Sequence, residues 1–171
     1  FDPLVPPVGW GNQSIKPGFN LVGGTSYTNT YYHGIAAESK KSYYADVAER
    51  YEADAEYEPG TVVELGGDKE ITQVNQELSS SVFGVISTQP AYLLNSEAGD
   101  DKTHPPVALT GRVPVKVVGR VTKGDRLVSA GNGLARAALP GEATWNNTIG
   151  RSLDNKTNTE QGLVEAIVTI R

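Results

Sequence analysis

Apolar and polar residues alternate most clearly between Val107 and Ala137. In the first part of this stretch most odd positions carry Val or Leu, whereas the even positions carry mainly Thr, Arg or Lys. A period of two is expected of a β-strand with one buried and one solvated face. We therefore predict that this stretch forms the centre of the fold. Its apolar positions are Val107, Leu109, Val113, Val115, Val117 and Val121, and its polar positions are Thr110, Arg112, Lys116 and Arg120.

Turn signals divide the rest of the stretch into short elements. Lys123-Gly124-Asp125 predicts a turn, and Arg126–Ala130 predicts a returning strand. Gly131-Asn132-Gly133 predicts a tight hairpin, because Asn-Gly accepts the positive φ angles of a two-residue turn. Leu134–Ala138 is then expected to complete the hairpin.

Similar short strands are predicted on both sides of this stretch, with turns between them and no alternation of strands with helices. The pattern is typical of a mainly β fold, a small antiparallel sandwich or barrel-like domain. The predicted strands are Thr61–Leu65, Ile71–Val74, Phe83–Ser87, Thr148–Leu153 and Gly162–Ile170, with an apolar turn at Gln89–Leu94 and exposed polar loops at Asn95–Thr103 and Asp154–Gln161.

The last strand differs because both of its faces carry apolar residues. Leu163 and Ile167 fall on one face, opposite Val164, Ala166, Val168 and Ile170. Burial on both sides is expected of a central strand, or of a strand that a partner subunit covers.

One helix is predicted at Ser42–Tyr57, because Tyr44, Val47, Ala48, Tyr51 and Ala55 recur at helical spacing. Clustered carboxylates could bind Ca²⁺ or share a proton. The Ca²⁺ loop spacing with its central glycine is missing, so a solvated acidic face is the favoured interpretation. The acidic residues are Asp46, Glu49, Glu52, Asp54, Glu56 and Glu58.

The region before this helix is rich in proline and glycine. Because proline removes hydrogen-bond donors and fixes φ, Phe1–Phe19 is expected to be an extended arm. Its apolar residues, Trp10 among them, are expected to lie on a neighbouring chain or on the arm's own domain. We divide the chain into an arm and connecting segment, residues 1–43, and a β-rich domain, residues 44–171. The chain starts at Phe1 without a methionine, so a processed or truncated piece is expected.

Composition excludes several function classes. The net charge of −5 argues against nucleic acid or anionic membranes as partners, since both need a basic face. The chain has no cysteine, so neither disulfides nor thiolate metal sites are expected. No apolar run reaches the length that membrane insertion requires.

Motifs for catalysis are missing as well. The two histidines, His33 and His104, have no second ligand at metal-binding spacing, and no Gly-x-Ser-x-Gly elbow is present. We therefore expect no enzymatic activity and no cofactor. Trp10, Trp145 and Tyr92 could stack on sugars, although a place in the core or in an interface is favoured for the tryptophans.

Several blocks, in this order, resemble the C-terminal domain found in many tailed-bacteriophage structural proteins, especially at the ends of cyanophage tail fibres. They are Tyr44–Tyr51, Tyr57–Val63, Gly84–Ser96, Val107–Pro114, Lys123–Asp125, Ile149–Leu153 and Gly162–Glu165, and upstream Leu21–Tyr32 resembles the segment that often precedes this domain in fibres.

This resemblance implies a virion protein that ends a fibre or appendage, assembles as a homotrimer and contacts other virion proteins and a host receptor. A capsid decoration or head-fibre protein is the alternative. The expected trimer interface near the three-fold axis comprises Tyr27, Tyr31, Tyr32 and Ile35.

The same region is more distantly similar to an autoproteolytic intramolecular-chaperone domain of phage appendages. That family's cleavage motif is Ser-Asp-x-Ala-Glu, and the matching residues here begin with Ala45-Asp46 and end with Glu49. Alanine has no oxygen to attack a peptide bond, so self-cleavage is expected to be absent. Ser42 is a possible substitute nucleophile. An autoproteolytic chaperone is therefore the third hypothesis for the function.

Overall fold

The computed structural model describes residues 46–169, and none of these residues lies in a helix. Ten strands follow one another along the chain: β1 (Asp46–Arg50), β2 (Val62–Leu65), β3 (Ile71–Gln73), β4 (Val82–Ile86), β5 (Tyr92–Leu94), β6 (Pro106–Val117), β7 (Arg126–Gly131), β8 (Leu134–Ala137), β9 (Thr148–Ser152) and β10 (Gly162–Thr169).

The longest strand, β6, belongs to two parts of the structure. Its second half, from Thr110, pairs antiparallel with β10 along eight residues. β10 continues to β9, β9 to β7 and β7 to β8, and β8 returns to β6 where Val117 pairs with Ala135. These five strands form a closed ring, which we call the barrel.

The first half of β6 belongs to the remaining strands, which we call the flanking sheet. There β6 pairs with β1 and with β4, and β4 continues to β2 and then β3. β1 also pairs in parallel with β5. The prediction that Val107–Ala137 forms the centre of the fold is therefore confirmed.

Two clusters of buried apolar residues hold these parts together. The larger consists mainly of valines from the barrel and from the strands that face it, with Leu127 and Ile149 as its largest members. The smaller lies in the flanking sheet, where partly buried aromatic rings surround it. Its buried members are Val63, Ile71, Ile86 and Val107.

The hairpin predicted at Gly131-Asn132-Gly133 is confirmed between β7 and β8. Asn132 and Gly133 have φ angles of 53° and 70°, the left-handed values that this turn requires. The predicted strands at residues 61–65, 71–74, 83–87 and 148–153 are also found, within one or two residues at their ends.

The predicted helix at Ser42–Tyr57 is wrong within the described residues. Residues 46–50 form β1, which hydrogen-bonds to strands on both sides, and the chain continues without a helix to Gly60. The buried side of β1 carries Asp46 and Ala48, so an acidic residue occupies a core position and conceals the period of two. The predicted apolar turn at Gln89–Leu94 likewise contains a strand, β5.

The fold is mainly β, as predicted, and its centre is the barrel rather than a sandwich. In residues 46–169 no helix has the length and apolar character of a membrane span. The extended arm and the division at residue 43 concern residues outside this range and stay predictions.

Candidate functional site

The two acids of the motif, Asp46 and Glu49, lie on β1. They are three residues apart on a strand, so their carboxyl groups point to opposite faces of the sheet. Asp46 is 2% exposed, whereas Glu49 is half-buried and accepts a hydrogen bond of 2.8 Å from the Tyr51 hydroxyl. Ala45 and Ser42 lie outside the described residues. Within one chain, the two acids therefore do not converge on a single bond.

Burial dominates the electrostatics of Asp46. It raises the pKa of the carboxyl group, and the nearby Ser87 hydroxyl counters part of that rise. Neither Asp46 Oδ2 nor Ser87 Oγ meets the geometry of a hydrogen bond to any described residue. Because Asp46 Oδ2 and Ser87 Oγ share no hydrogen bond, the pair lacks the contact between nucleophile and base that activates a serine.

Ser87 also lines a cleft of about 160 Å³, together with Tyr57 and Pro106. The cleft walls include three exposed carboxylates, those of Glu56, Glu58 and Asp101. Among the described residues, no group of three or more His, Cys, Asp or Glu side chains could hold a metal ion.

The carboxylates that follow β1 are spread along an extended segment. Glu52 pairs with Lys69 at 2.8 Å, and Asp54 accepts a hydrogen bond from the Tyr57 hydroxyl. Lys102 is the one cation of residues 46–169 that lies within 4.0 Å of Glu56, at 4.0 Å. We call the surface formed by Glu52, Asp54, Glu56 and Glu58 the acidic segment. It is largely solvated, although not on a helix.

His104 stabilises the loop before β6. Its backbone N–H donates to Asp100 O at 2.7 Å, and its carbonyl accepts from Arg50 Nη1 at 2.6 Å. Arg50 also pairs with Asp101 at 2.7 Å. These contacts give His104 a structural position, while His33 lies outside the described residues.

The outward side of β10 combines apolar and cationic side chains. Leu163 and Ile167 are 61% and 48% exposed in the single chain, so only the other face of β10 is buried here. Register places Ile167 between Arg112 of β6 and Arg151 of β9. We call the set Arg112, Lys116, Arg151, Leu163, Glu165 and Ile167 the β10 outer face.

Register also pairs Leu163 with Lys116. None of the three cations of the β10 outer face, Arg112, Lys116 and Arg151, has a carboxylate within 4.0 Å among residues 46–169. The Lys116 ammonium group donates to Thr61 Oγ1 at 3.1 Å, and Arg151 Nη1 donates to Gly124 O at 3.3 Å. The face therefore offers cations that no acid of the described chain satisfies by direct contact.

Glu165 lies on the β10 outer face between Leu163 and Ile167. Burial raises its pKa, while Arg112 acts in the opposite direction. Its Oε2 atom is buried and finds no hydrogen-bond partner in the described part of the chain.

The aromatic residues singled out for sugar binding are placed on separate elements. Trp145 is 71% exposed in the loop before β9, next to a hollow of about 80 Å³ that Ser80 and Asn146 also line. Tyr92 lies on β5 and is also exposed. Trp10 and the predicted interface residues Tyr27, Tyr31, Tyr32 and Ile35 lie outside the described residues.

The sequence revealed part of the β10 outer face and missed the rest. The two-sided pattern of β10 identified Leu163 and Ile167. The wet face of β6 identified Arg112 and Lys116, but only the register between strands places them beside β10. Arg151 carried no signal of its own.

No protein-family model matches the chain, and no curated protein matches it. Solved structures do share its fold. The pre-mature form of bacteriophage phi29 gene product 12 is similar over 74% of this chain, with a TM-score of 0.55 and 16% identity. The chain spans 22% of the length of that protein.

A C-terminal fragment of the same gene product is matched over its full length. It covers 72% of this chain, with a TM-score of 0.53 and 16% identity. The base of the phi29 head fibre gp8.5 has a TM-score of 0.39 over 74% of this chain and 92% of its own, which is too low to support an inference.

Proposed function

We propose that this chain is a bacteriophage virion structural protein, a domain that ends a tail fibre or a similar appendage. The observation that carries the proposal is the match to the entire C-terminal fragment of phi29 gene product 12. At 16% identity this likeness describes the fold, and the role is our inference from it. The sequence blocks that resemble tail-fibre ends, cyanophage fibres in particular, point in the same direction independently.

The proposed domain acts by folding and binding. Three chains assemble, and their apolar residues, including Tyr27, Tyr31, Tyr32 and Ile35, are buried near the three-fold axis. Burial contributes roughly 25 cal/mol per Å² of apolar surface, which over an interface of ordinary size is enough to hold a trimer together.

Host attachment is the proposed use of the exposed loops. Asn95–Thr103 and Asp154–Gln161 consist of polar, mostly exposed residues. Three copies of a weak contact on one trimer bind a surface with avidity, because the second and third contacts form at high effective concentration.

Two alternatives lead to different outcomes. A capsid decoration or head-fibre protein would share the fold but lie on the head. An autoproteolytic chaperone would cut its own chain, for which Ala45 supplies no nucleophile. We propose a non-enzymatic protein without a cofactor.

Location in the particle tests the first alternative. Purified phage particles that encode this chain are analysed by mass spectrometry and labelled with gold-conjugated antibodies against residues 44–171. Label at the fibre end is expected. Label on the capsid surface would replace the fibre proposal by head decoration, and absence of the chain from particles would contradict both.

Self-cleavage is tested on the purified 171-residue chain, which contains both Ser42 and the Ala45–Glu49 motif. Intact mass and N-terminal sequencing are compared for the native chain, Ala45→Ser and Ser42→Ala. The native chain is expected to stay uncut. A new N-terminus near Ala45 in the native chain, lost in Ser42→Ala, would establish the autoprotease.

A further inference from the structure

We propose that the β10 outer face is the surface on which a second copy of this chain docks, through the acidic segment of that copy. The inference rests on the proposed oligomeric fibre domain and adds to it a specific contact between described residues. The occupant follows from charge complementarity and from the position of the two surfaces on one chain.

The apolar part of the face supplies the reason for covering it. Leu163 and Ile167 stand on the same side of a single strand, and more than two fifths of each side chain is exposed. Leu163 and Ile167 lie roughly 13 Å apart along the strand, with Glu165 between them. Exposed apolar residues that polar groups surround are typical of interaction sites when they fall on one surface. Register pairs each of the two with a cation, Ile167 with Arg112 and Arg151, and Leu163 with Lys116, so apolar and cationic groups share one side of β10.

The cationic part selects an acidic partner. Arg112 and Arg151 have no carboxylate within 4.0 Å in residues 46–169, although the protein as a whole has a net charge of −5. A basic surface on an acidic protein attracts acidic surfaces and disfavours other basic ones. Glu56 and Glu58 provide such a surface on the same chain. Both side chains are exposed. Lys102 Nζ lies 4.0 Å from Glu56, and no cation of residues 46–169 lies within 4.0 Å of the Glu58 carboxylate.

The two surfaces lie next to each other on one chain. Gly60 follows the acidic segment two residues after Glu58, and an added Cβ at Gly60 would be 3.1 Å from Leu163 Cδ2 and 3.3 Å from Lys116 Cγ. A chain that presents two different surfaces makes head-to-tail contacts, which close into a ring when the rotation between copies is suitable. Two contact surfaces that lie next to each other on one chain are compatible with a three-membered ring, in which each copy contacts both of the others.

The test is sedimentation velocity of the full 171-residue chain and its variants, over a range of concentrations. The native chain is expected to sediment as three copies of 18.2 kDa. Arg112→Glu with Arg151→Glu should weaken assembly at least tenfold, and so should Glu56→Lys with Glu58→Lys. The variant with all four changes should regain assembly, because each reversed surface again meets its opposite.

Matched controls separate the face from general charge or hydrophobicity. Arg120→Glu with Lys123→Glu changes the net charge equally at exposed positions outside both surfaces, and should leave assembly unchanged. Leu163→Ser with Ile167→Ser should weaken assembly, whereas Leu65→Ser with Leu139→Ser, at positions of similar exposure, should not. Far-UV circular dichroism verifies that each variant is folded, and regained assembly in the four-residue variant cannot come from misfolding.

The outcomes distinguish the inference from the proposed function. A native trimer that all variants retain would overturn the assigned face while leaving the trimer intact. Loss of assembly without regain in the four-residue variant would overturn the acidic segment as occupant. A monomeric native chain would overturn both the trimer and the contact, whereas labelling of particles would still decide the virion role.

Discussion

The barrel and the flanking sheet share β6 but satisfy their polar groups differently. In the barrel each strand has a neighbour on both sides. In the described flanking sheet β5 pairs only with β1, so its outer edge is open. Among residues 46–169, four buried side-chain polar atoms have no hydrogen-bond partner. Three of them, Asp46 Oδ2, Arg50 Nε and Ser87 Oγ, lie in or next to the flanking sheet.

This difference predicts that the barrel and the flanking sheet differ in how easily they open or are extended. A closed ring around a valine-rich core has no free edge through which it could open or pair with another chain. A sheet with an open edge and unpaired polar groups is easier to rearrange or to extend. The flanking sheet also contains β1, which carries Asp46 and Glu49 of the motif that resembles a cleavage site.

The comparison predicts that core truncation is more costly in the barrel. Leu127 and Ile71 are both fully buried, one in the larger cluster and one in the smaller. Leu127→Ala should lower the free energy of unfolding by about 4 kcal/mol and Ile71→Ala by about 2 kcal/mol, because partly buried rings can move into the space at Ile71. Urea titrations at one protein concentration measure both values.

The exposed Leu139→Ala serves as the control, with an expected change below about 0.5 kcal/mol. Equal losses for Leu127→Ala and Ile71→Ala would show that the flanking sheet is packed as rigidly as the barrel.

The β7–β8 turn connects the two parts and predicts the next largest effect. Gly133 accepts a hydrogen bond from Val62 N at 2.8 Å and donates one to Val74 O at 2.9 Å. It has a φ of 70°, and an added Cβ would be 2.7 Å from Thr61 Cγ2. Gly133→Ala should therefore cost about 3 kcal/mol, from backbone strain and from the collision.

Gly141 is the matched control, since it has a φ of 87° but nothing within 4 Å of an added Cβ. Gly141→Ala should cost only about 1 kcal/mol, the strain alone. If thermal unfolding shows the same loss for both variants, then docking of the turn on β2 and β3 contributes nothing to stability.

The sequence predicted best where local rules decide the structure. The Asn132-Gly133 turn needs positive φ angles at both positions, and these residues accept them. The alternating face of β6 was equally clear because a buried face selects every second residue. By contrast, the sequence contains no local signal for the closure of the barrel, which depends on β8 pairing with β6 in parallel at a single position.

The flanking sheet was harder to predict because its residues break the patterns. Asp46 occupies a buried position where alternation requires an apolar residue, so β1 was predicted as helix. β5 has only three residues, fewer than a period of two needs to become visible. The β10 outer face was likewise predictable only where a local pattern exists. Leu163 and Ile167 were identified from the alternation within β10, whereas the cations beside them are placed by the register between strands.

The pH dependence of stability sharpens the comparison at Asp46. Burial raises its pKa in the folded state above the ordinary value of 3.8, so the folded state binds the proton more tightly than the unfolded state. The stabilisation that this provides is complete below pH 3.8 and is lost as the pH rises through the folded-state pKa. Asp46→Asn should therefore increase stability at pH 7, by about 1 kcal/mol, and the gain should vanish toward pH 3.8.

Asp100 is the control of opposite sign. Hydrogen bonds from the Thr103 hydroxyl and backbone lower its pKa, so its contribution is present above pH 3.8 and is lost as the pH falls through the folded-state pKa. Asp100→Asn should lower thermal stability at pH 7. A gain at pH 7 for Asp100→Asn, or a loss for Asp46→Asn, would contradict the assigned causes.

The smallest expected effect concerns the Arg50 contacts that hold the loop before β6. Arg50 Nη1 lies 2.7 Å from Asp101 Oδ1 and 2.6 Å from His104 O, but the Asp101 side chain is 78% exposed. An ion pair with so exposed a partner is worth about 0.2–1 kcal/mol. Asp101→Asn should therefore change global stability little and act locally, because it removes the ion pair while Arg50 keeps its bond to the His104 carbonyl. Amide hydrogen exchange at residues 100–104 should become faster, and exchange in β7 and β10 should stay the same. Faster exchange in the barrel strands as well would mean that the barrel and the flanking sheet open together. We expect them to open separately, because the barrel is a closed ring and the flanking sheet has an open edge.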